Sequence, residues 1–129
     1  MTDRITYRTG AKWESIVGYS RGVRKGNVIE ISGTCSVGPD GAPHAPGDPY
    51  RQTQRALEII VHAVQELGGQ VEDIVRTRMY VTNISDWEEI GRAHGEIFRT
   101  IGPVTTMVEV SKLIAPEYVV EIEATAILS

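Results

Sequence analysis

The alternation in residues 103–128, PVTTMVEVSKLIAPEYVVEIEATAIL, constrains this chain most. It reads as two β-strands joined by a Pro-containing turn. A strand repeats every two residues, so alternate positions share a face. Val104, Thr106, Val108 and Val110 then fall on one side, and Thr105, Met107, Glu109 and Ser111 on the other. In the second strand Val120, Ile122 and Ala124 oppose Glu121, Glu123 and Thr125. The apolar set predicts a core face, and the polar set is the candidate working surface.

The remaining elements supply a cover for that core. Residues 4–8 read as a short strand, residues 10–15 as loop, and residues 18–37 as two strands joined by a tight turn at Lys25-Gly26-Asn27. Gly and Asn tolerate the positive φ that such a turn needs. The segment GPDGAPHAPGD, residues 38–48, is dense in Gly and Pro and predicts a surface loop. Asp48 and Pro49 then open a helix as N-cap and first helical residue. Ala56, Leu57, Ile60, Ala63, Val64 and Leu67 follow at helical spacing, and Gly68-Gly69 ends the run.

Residues 74–81 predict another strand. Val75, Thr77, Met79 and Val81 share one face; Arg76, Arg78 and Tyr80 share the other. Ser85 and Glu88 match a capping box, in which the two side chains satisfy orphan amides reciprocally. Trp87, Ile90, His94, Ile97 and Ile101 form the stripe of a second helix, ended by Gly102-Pro103. The order is β-β-β-α-β-α-β-β, an α+β fold in one domain spanning residues 1–129. Two amphipathic helices can cover one face of a sheet of five or six strands. The other face would carry Glu30, Ser32, Arg76, Arg78, Tyr80, Thr105, Glu109, Glu121 and Glu123. Both charge signs occur there. A solvated antiparallel face and a self-complementary subunit interface are both open readings.

Composition excludes several classes. With 41% hydrophobic and 23% charged residues, the chain has enough apolar material for a core without metal or disulfides. Cys35 is the one cysteine, so no disulfide forms within the chain, which suits a cytoplasmic location. The N-terminal MTDRITYRTG lacks the apolar region of a signal peptide, and no run has the length of a membrane span. A net charge of −4 argues against a broad nucleic-acid-binding surface.

No phosphate loop is present, and His44, His62, His94 and Cys35 lack metal-ligand spacing. His62 reads as a partly exposed helix residue, His94 as a packed, hydrogen-bonded one, and Cys35 as a buried structural thiol. Glu121 and Glu123 point the same way. Either they pair with cations such as Arg76 and Arg78, or one of them holds a water beside a cleft.

Three runs resemble the RidA (YjgF/YER057c/UK114) family: GYSRGVRKGNVIEISGT, IVRTRMYVTNISDWEEIGRAHGEIF, and PVTTMVEVSKL with the later VEIEA. The resemblance extends from about Gly18 to Ala126. It implies a chorismate-mutase-like mixed sheet with two helices on one face. It also implies a homotrimer packed through its bare sheet faces, with small-molecule clefts between subunits. The active family members hydrolyse 2-imino acids and their enamine tautomers, releasing ammonia without a cofactor; some members have instead been described as ribonucleases.

Carried over by position, the resemblance assigns Tyr19, Ser32 and Gly33 to substrate binding, the Gly33 amide meeting the substrate carboxylate. Met107 stands where a backbone carbonyl faces the substrate nitrogen, a position often held by cysteine. Glu121 matches the glutamate that positions the attacking water, with one extra residue allowed in the turn at 114–118. An asparagine on the second helix of some members falls at Gly91, so that side chain is absent.

Thr105 departs from the pattern, since deaminase members carry arginine there. Arginine grips a carboxylate through paired, charge-assisted hydrogen bonds worth about 1.5–3 kcal/mol each. One neutral hydroxyl in its place weakens transition-state binding of a carboxylate substrate by roughly 10²–10⁴-fold. The expectation is therefore an imine or enamine deaminase with altered substrate. The alternative is a non-catalytic metabolite-binding or regulatory protein, and a ribonuclease ranks last.

Overall fold

The computed structural model describes residues 3–129. Met1 and Thr2, the start of the stretch read as lacking a signal sequence, lie outside them. Six strands and three helices follow in the order β1 (Arg4–Tyr7), α1 (Lys12–Val17), β2 (Gly22–Lys25), β3 (Val28–Thr34), α2 (Pro49–Glu66), β4 (Ile74–Val81), α3 (Trp87–Phe98), β5 (Val104–Glu109) and β6 (Val120–Ile127). The strands form one mixed sheet in the order β1-β2-β3-β6-β4-β5. β4 and β5 run parallel, and the other neighbouring pairs are antiparallel.

Two features of the expected architecture change. Residues 10–15, read as loop, contain most of α1. This helix has no apolar stripe to betray it, because Trp13, Ile16 and Val17 are all exposed. It is held instead by Glu14, which is buried and accepts from the Thr9 backbone amide at 3.0 Å. The two C-terminal strands also do not pair with each other. β4 lies between β5 and β6, so the stretch 110–119 is a connection across β4 rather than a hairpin turn.

The sheet buries one face under α2 and α3. Ile29 and Ile31 of β3, Ile74, Met79 and Val81 of β4, and Val120, Ile122, Ala124 and Ala126 of β6 meet Ala56, Leu57, Ile60, Ala63 and Val64 of α2, with Ile90 and Phe98 of α3. α2 begins as its sequence predicts: the Asp48 carboxylate accepts from the Arg51 amide at 3.0 Å and Pro49 is the first helical residue. Its buried Gln52 donates to the carbonyls of Ala45 and Glu117 and accepts from the Val119 amide, tying two loops to the helix.

The start of α3 differs from the expected capping box. The chain first makes a short 3-10 turn in which Asn83 accepts from the Ser85 amide at 3.0 Å, and Asp86 rather than Ser85 occupies the N-cap. Trp87, the first residue of the helix, lies off the apolar stripe and is 56% exposed.

Candidate functional site

The sequence-predicted residues fall into two groups at different places on the sheet. The first is built where β3 meets β6. Their ladder shifts register between Ile31 and Thr34, which frees Ser32 and Gly33 from regular pairing. Glu121 of β6 projects on the open face and leans across this irregularity. A Cβ on Gly33 would collide with Glu121 Oε2, so glycine is the residue that leaves room for the carboxylate. The other oxygen, Oε1, accepts from Cys35 Sγ at 3.3 Å.

Arg21 organises the floor of this group. It is 8% exposed, and its Nη1 donates to the Gly33 carbonyl at 2.7 Å and to Thr34 Oγ1 at 2.9 Å. Its Nη2 donates to the Tyr19 hydroxyl at 3.3 Å, with the guanidinium 5.5 Å from the centre of the Tyr19 ring. The Ser32 hydroxyl donates to the Ser20 carbonyl at 2.7 Å. Helix α1 aims Tyr19 at this arginine: Gly18 adopts φ 88° at the helix end, and the amides of Gly18 and Tyr19 both donate to the Glu14 carbonyl. The structure thus brings Tyr19, Ser32, Gly33 and Glu121 into one neighbourhood.

Electrostatics there fix the state of the thiol. Burial pushes the Cys35 pKa up strongly, and the charge and hydrogen bond of Glu121 push it further, against a smaller opposing pull from Arg21. Cys35 therefore acts as a protonated donor to a carboxylate. Its reading as a buried structural thiol needs amending, since it is half-buried and touches the candidate water-positioning group. Glu121 and Glu123 also differ from one another. Glu123 pairs with Arg78 at 3.7 Å and accepts from the Tyr80 hydroxyl at 3.0 Å, the structural role expected of a sheet-face carboxylate. Arg78 lines an open concavity of about 500 Å³ together with Tyr19, Ser32 and Glu123.

The second group, Thr105 and Met107, lies elsewhere. The parallel register pairs Thr105 with Thr77 and Met107 with Met79, and Thr77 and Met79 face the helices. Thr105, Met107 and Glu109 are therefore not on the open face with Glu121, as the polar pattern suggested. Val104, Thr106 and Val108 are, and both valines are exposed. The physical reason is that β5 is an edge strand. Its helix-side residues are only partly covered and tolerate polarity, while its open-face valines Val104 and Val108 stay exposed in this chain.

Thr77 Oγ1 lies 2.7 Å from Thr105 Oγ1 and 2.8 Å from His94 Nε2. His94 thus has the packed, hydrogen-bonded role expected of it, with Phe98 4.6 Å away ring to ring. Met107 packs against the core, and the Glu109 carboxylate accepts from the Ile84 amide at 2.9 Å.

Sequence reasoning missed Arg21, the Cys35–Glu121 contact and the His94–Thr77–Thr105 chain. Only the last had a legible signal, a threonine in the apolar register of β4 with a histidine in the stripe of the covering helix. Among the described residues, no group of three or more His, Cys, Asp and Glu side chains is placed to hold a metal ion, and no helix is long and apolar enough to cross a membrane.

Comparison with known proteins places this geometry among relatives. The family model described as endoribonuclease L-PSP matches residues 9–128. An uncharacterized protein of Streptomyces coelicolor is 34% identical over 119 residues, which is 92% of this chain and 88% of that one. A RutC family protein of Pyrococcus abyssi is 30% identical over 84% of each chain. Among solved structures, a Mycobacterium tuberculosis member of the YjgF/YER057c/UK114 family superposes with a TM-score of 0.89 at 44% identity, covering 98% of this chain and 100% of that one. Escherichia coli TdcF with bound serine superposes with a TM-score of 0.79 at 29% identity, covering 86% and 88%.

Proposed function

Because the chain belongs to the endoribonuclease L-PSP family, which includes the YjgF/YER057c/UK114 (RidA) proteins, we propose that it is a cytoplasmic homotrimer that binds a small polar metabolite between subunits and hydrolyses an imine or enamine there. One observation carries this reading. Glu121 and Thr105 lie on opposite faces of the sheet and are separated by β4. Two strand spacings set them roughly 10 Å apart before the change of face is counted. A single protomer cannot close a cleft around both, whereas a neighbour's β5 edge can meet the Glu121 group. The exposed valines and the mixed charges of the open face suit such a contact.

In the proposed reaction, Glu121 Oε2 accepts a proton from a water as the water oxygen bonds to the imine carbon, and passes that proton to the imine nitrogen. Collapse of the resulting carbinolamine restores a C=O bond and releases ammonia, so that one water is consumed for each ammonia formed. The Met107 carbonyl accepts from the substrate N–H, and the Gly33 amide, Tyr19 and Ser32 orient the ligand. Positioning supplies most of the acceleration in such a step. Arg21 holds Tyr19 and the Gly33 carbonyl in place. Thr105 offers a hydroxyl where an arginine would select a carboxylate, so the substrate differs from a simple 2-imino acid.

A second reading, a non-catalytic metabolite-binding protein, draws on the Cys35 thiol. Its hydrogen bond occupies one Glu121 oxygen and leaves only the other to meet a water. Ammonia release from imines generated in situ separates the two. The deaminase reading expects release above the buffer rate and its loss in Glu121→Gln. The binding reading expects neither, but expects a thermal shift with the same ligands. Labelled RNA left intact by the purified protein would dispose of a ribonuclease role.

A further inference from the structure

The Thr105 hydroxyl is the outer end of a chain. Thr77, which links it to His94, is fully buried, while His94 is half-buried and Thr105 exposed. The chain therefore runs from the interior between β4 and α3 to the surface of the β5 edge. A hydroxyl has one proton to donate and two lone pairs. This leaves two senses. If the imidazole carries its proton on Nε2, it donates to Thr77, Thr77 donates to Thr105, and Thr105 offers its own proton outward. If Nε2 is bare, Thr77 donates to it, Thr105 donates to Thr77, and Thr105 offers lone pairs outward. Each bond polarises the next, so the tautomer of His94 sets what Thr105 presents.

The chain is also uncharged. Burial, the one cause acting on His94, lowers its pKa from the ordinary histidine value, so the ring is neutral at neutral pH. A carboxylate brought to Thr105 would gain no counter-charge from these three groups, and the Glu121 carboxylate across the proposed cleft would repel it. A carboxamide matches either sense, with a carbonyl for the outward proton and N–H groups for the outward lone pairs.

We propose that Thr105, Thr77 and His94 act as one hydrogen-bonded unit that receives an uncharged polar group of the ligand, a carboxamide by its chemistry, with Thr77 and His94 as positioning residues. This rests on the reading that Thr105 lines the ligand cleft, and it narrows the ligand class to neutral 2-imino compounds and the 2-oxo products of their hydrolysis.

The test uses the intact protein with 15N-labelled histidine rings and two probes, pyruvamide and pyruvate. They differ only in carboxamide against carboxylate and carry no imine to hydrolyse. Pyruvamide should bind at least about tenfold more tightly than pyruvate and shift the His94 ring nitrogen resonances through the hydrogen-bonded chain, leaving those of His62 unchanged. Thr77→Val should weaken pyruvamide binding by roughly five- to tenfold and abolish the His94 response, the loss expected of one neutral hydrogen bond. Thr77→Ser, which keeps the hydroxyl, should restore both. Pyruvate binding as tightly as pyruvamide, no binding of either probe, or pyruvamide binding with His94 unmoved would overturn the inference. Ammonia release and its loss in Glu121→Gln are read separately. A protein that moves His94 but hydrolyses no imine keeps this inference and loses the deaminase reading; the opposite result does the reverse.

Discussion

The two faces of the sheet are made by alternate residues of the same strands, yet they are organised by different physics. On the helix-covered face, Ile122 and its neighbours are sealed under α2 and α3, and the Thr105–Thr77–His94 chain runs along its edge. On the open face, one residue away, Glu121 and Glu123 make polar contacts with Cys35, Arg78 and Tyr80, and the valines of β5 are exposed. The covered face stabilises the protomer. The open face carries exposed valines and paired charges, and the candidate site residues are split between the two faces.

Substitutions at adjacent positions sharpen this contrast. Ile122→Ala should cost about 2–5 kcal/mol, through lost burial and a residual cavity, as measured by urea denaturation. Glu123→Gln should cost under about 1 kcal/mol, because its partner Arg78 is partly exposed. The same change should weaken association in analytical ultracentrifugation. Equal effects of the two on protomer stability would erase the distinction between the faces.

Thr105→Arg comes next in size. It should tighten pyruvate binding by roughly tenfold to hundredfold, since a charge-assisted pair replaces a neutral hydroxyl. Calorimetry reads the change, and no gain would mean that position 105 does not reach the ligand. Gly33→Ala should leave thermal stability nearly unchanged, because the colliding atom is the end of a flexible side chain. Displacing Glu121 should relieve the hold on the thiol and raise the alkylation rate of Cys35 by iodoacetamide several-fold. An unaltered rate would show that the Glu121 contact does not govern the thiol.

The smallest effect is on pH dependence. His94 has a folded pKa below the ordinary value of 6.5. Its unfolded form therefore binds a proton first on acidification. The associated stability is complete above that ordinary value and is lost as pH falls through the lower folded one. The native protein should lose more stability than His94→Gln over that acidic range, and parallel pH curves would contradict it.

Much of the fold was legible because its helices and central strands carry clean periods. Leu57, Ile60 and Val64 announce α2, and Val120, Ile122 and Ala124 announce the buried side of β6. The edge strand was not, because polarity reports facing only where a face is covered. Thr105 and Met107 were grouped with Glu121 on that assumption, and the parallel register with Thr77 and Met79 corrects it. Helix α1 was hidden for a related reason, its apolar residues being exposed. Arg21 was invisible as a site residue because its role depends on a guanidinium reaching the carbonyl of Gly33, twelve residues away.

The central claim is that one copy supplies the Glu121 half of the cleft and another supplies the Thr105 half. Co-assembly of two variants tests it most directly. Glu121→Gln removes one half, and Thr105→Trp fills the other; each alone should release no ammonia above the buffer rate. Unfolded together and refolded as a mixture, they should regain a measurable part of native activity, because some interfaces then join an intact Glu121 to an intact Thr105. A mixture as inactive as its components, despite confirmed hetero-oligomers, would contradict a site shared between copies.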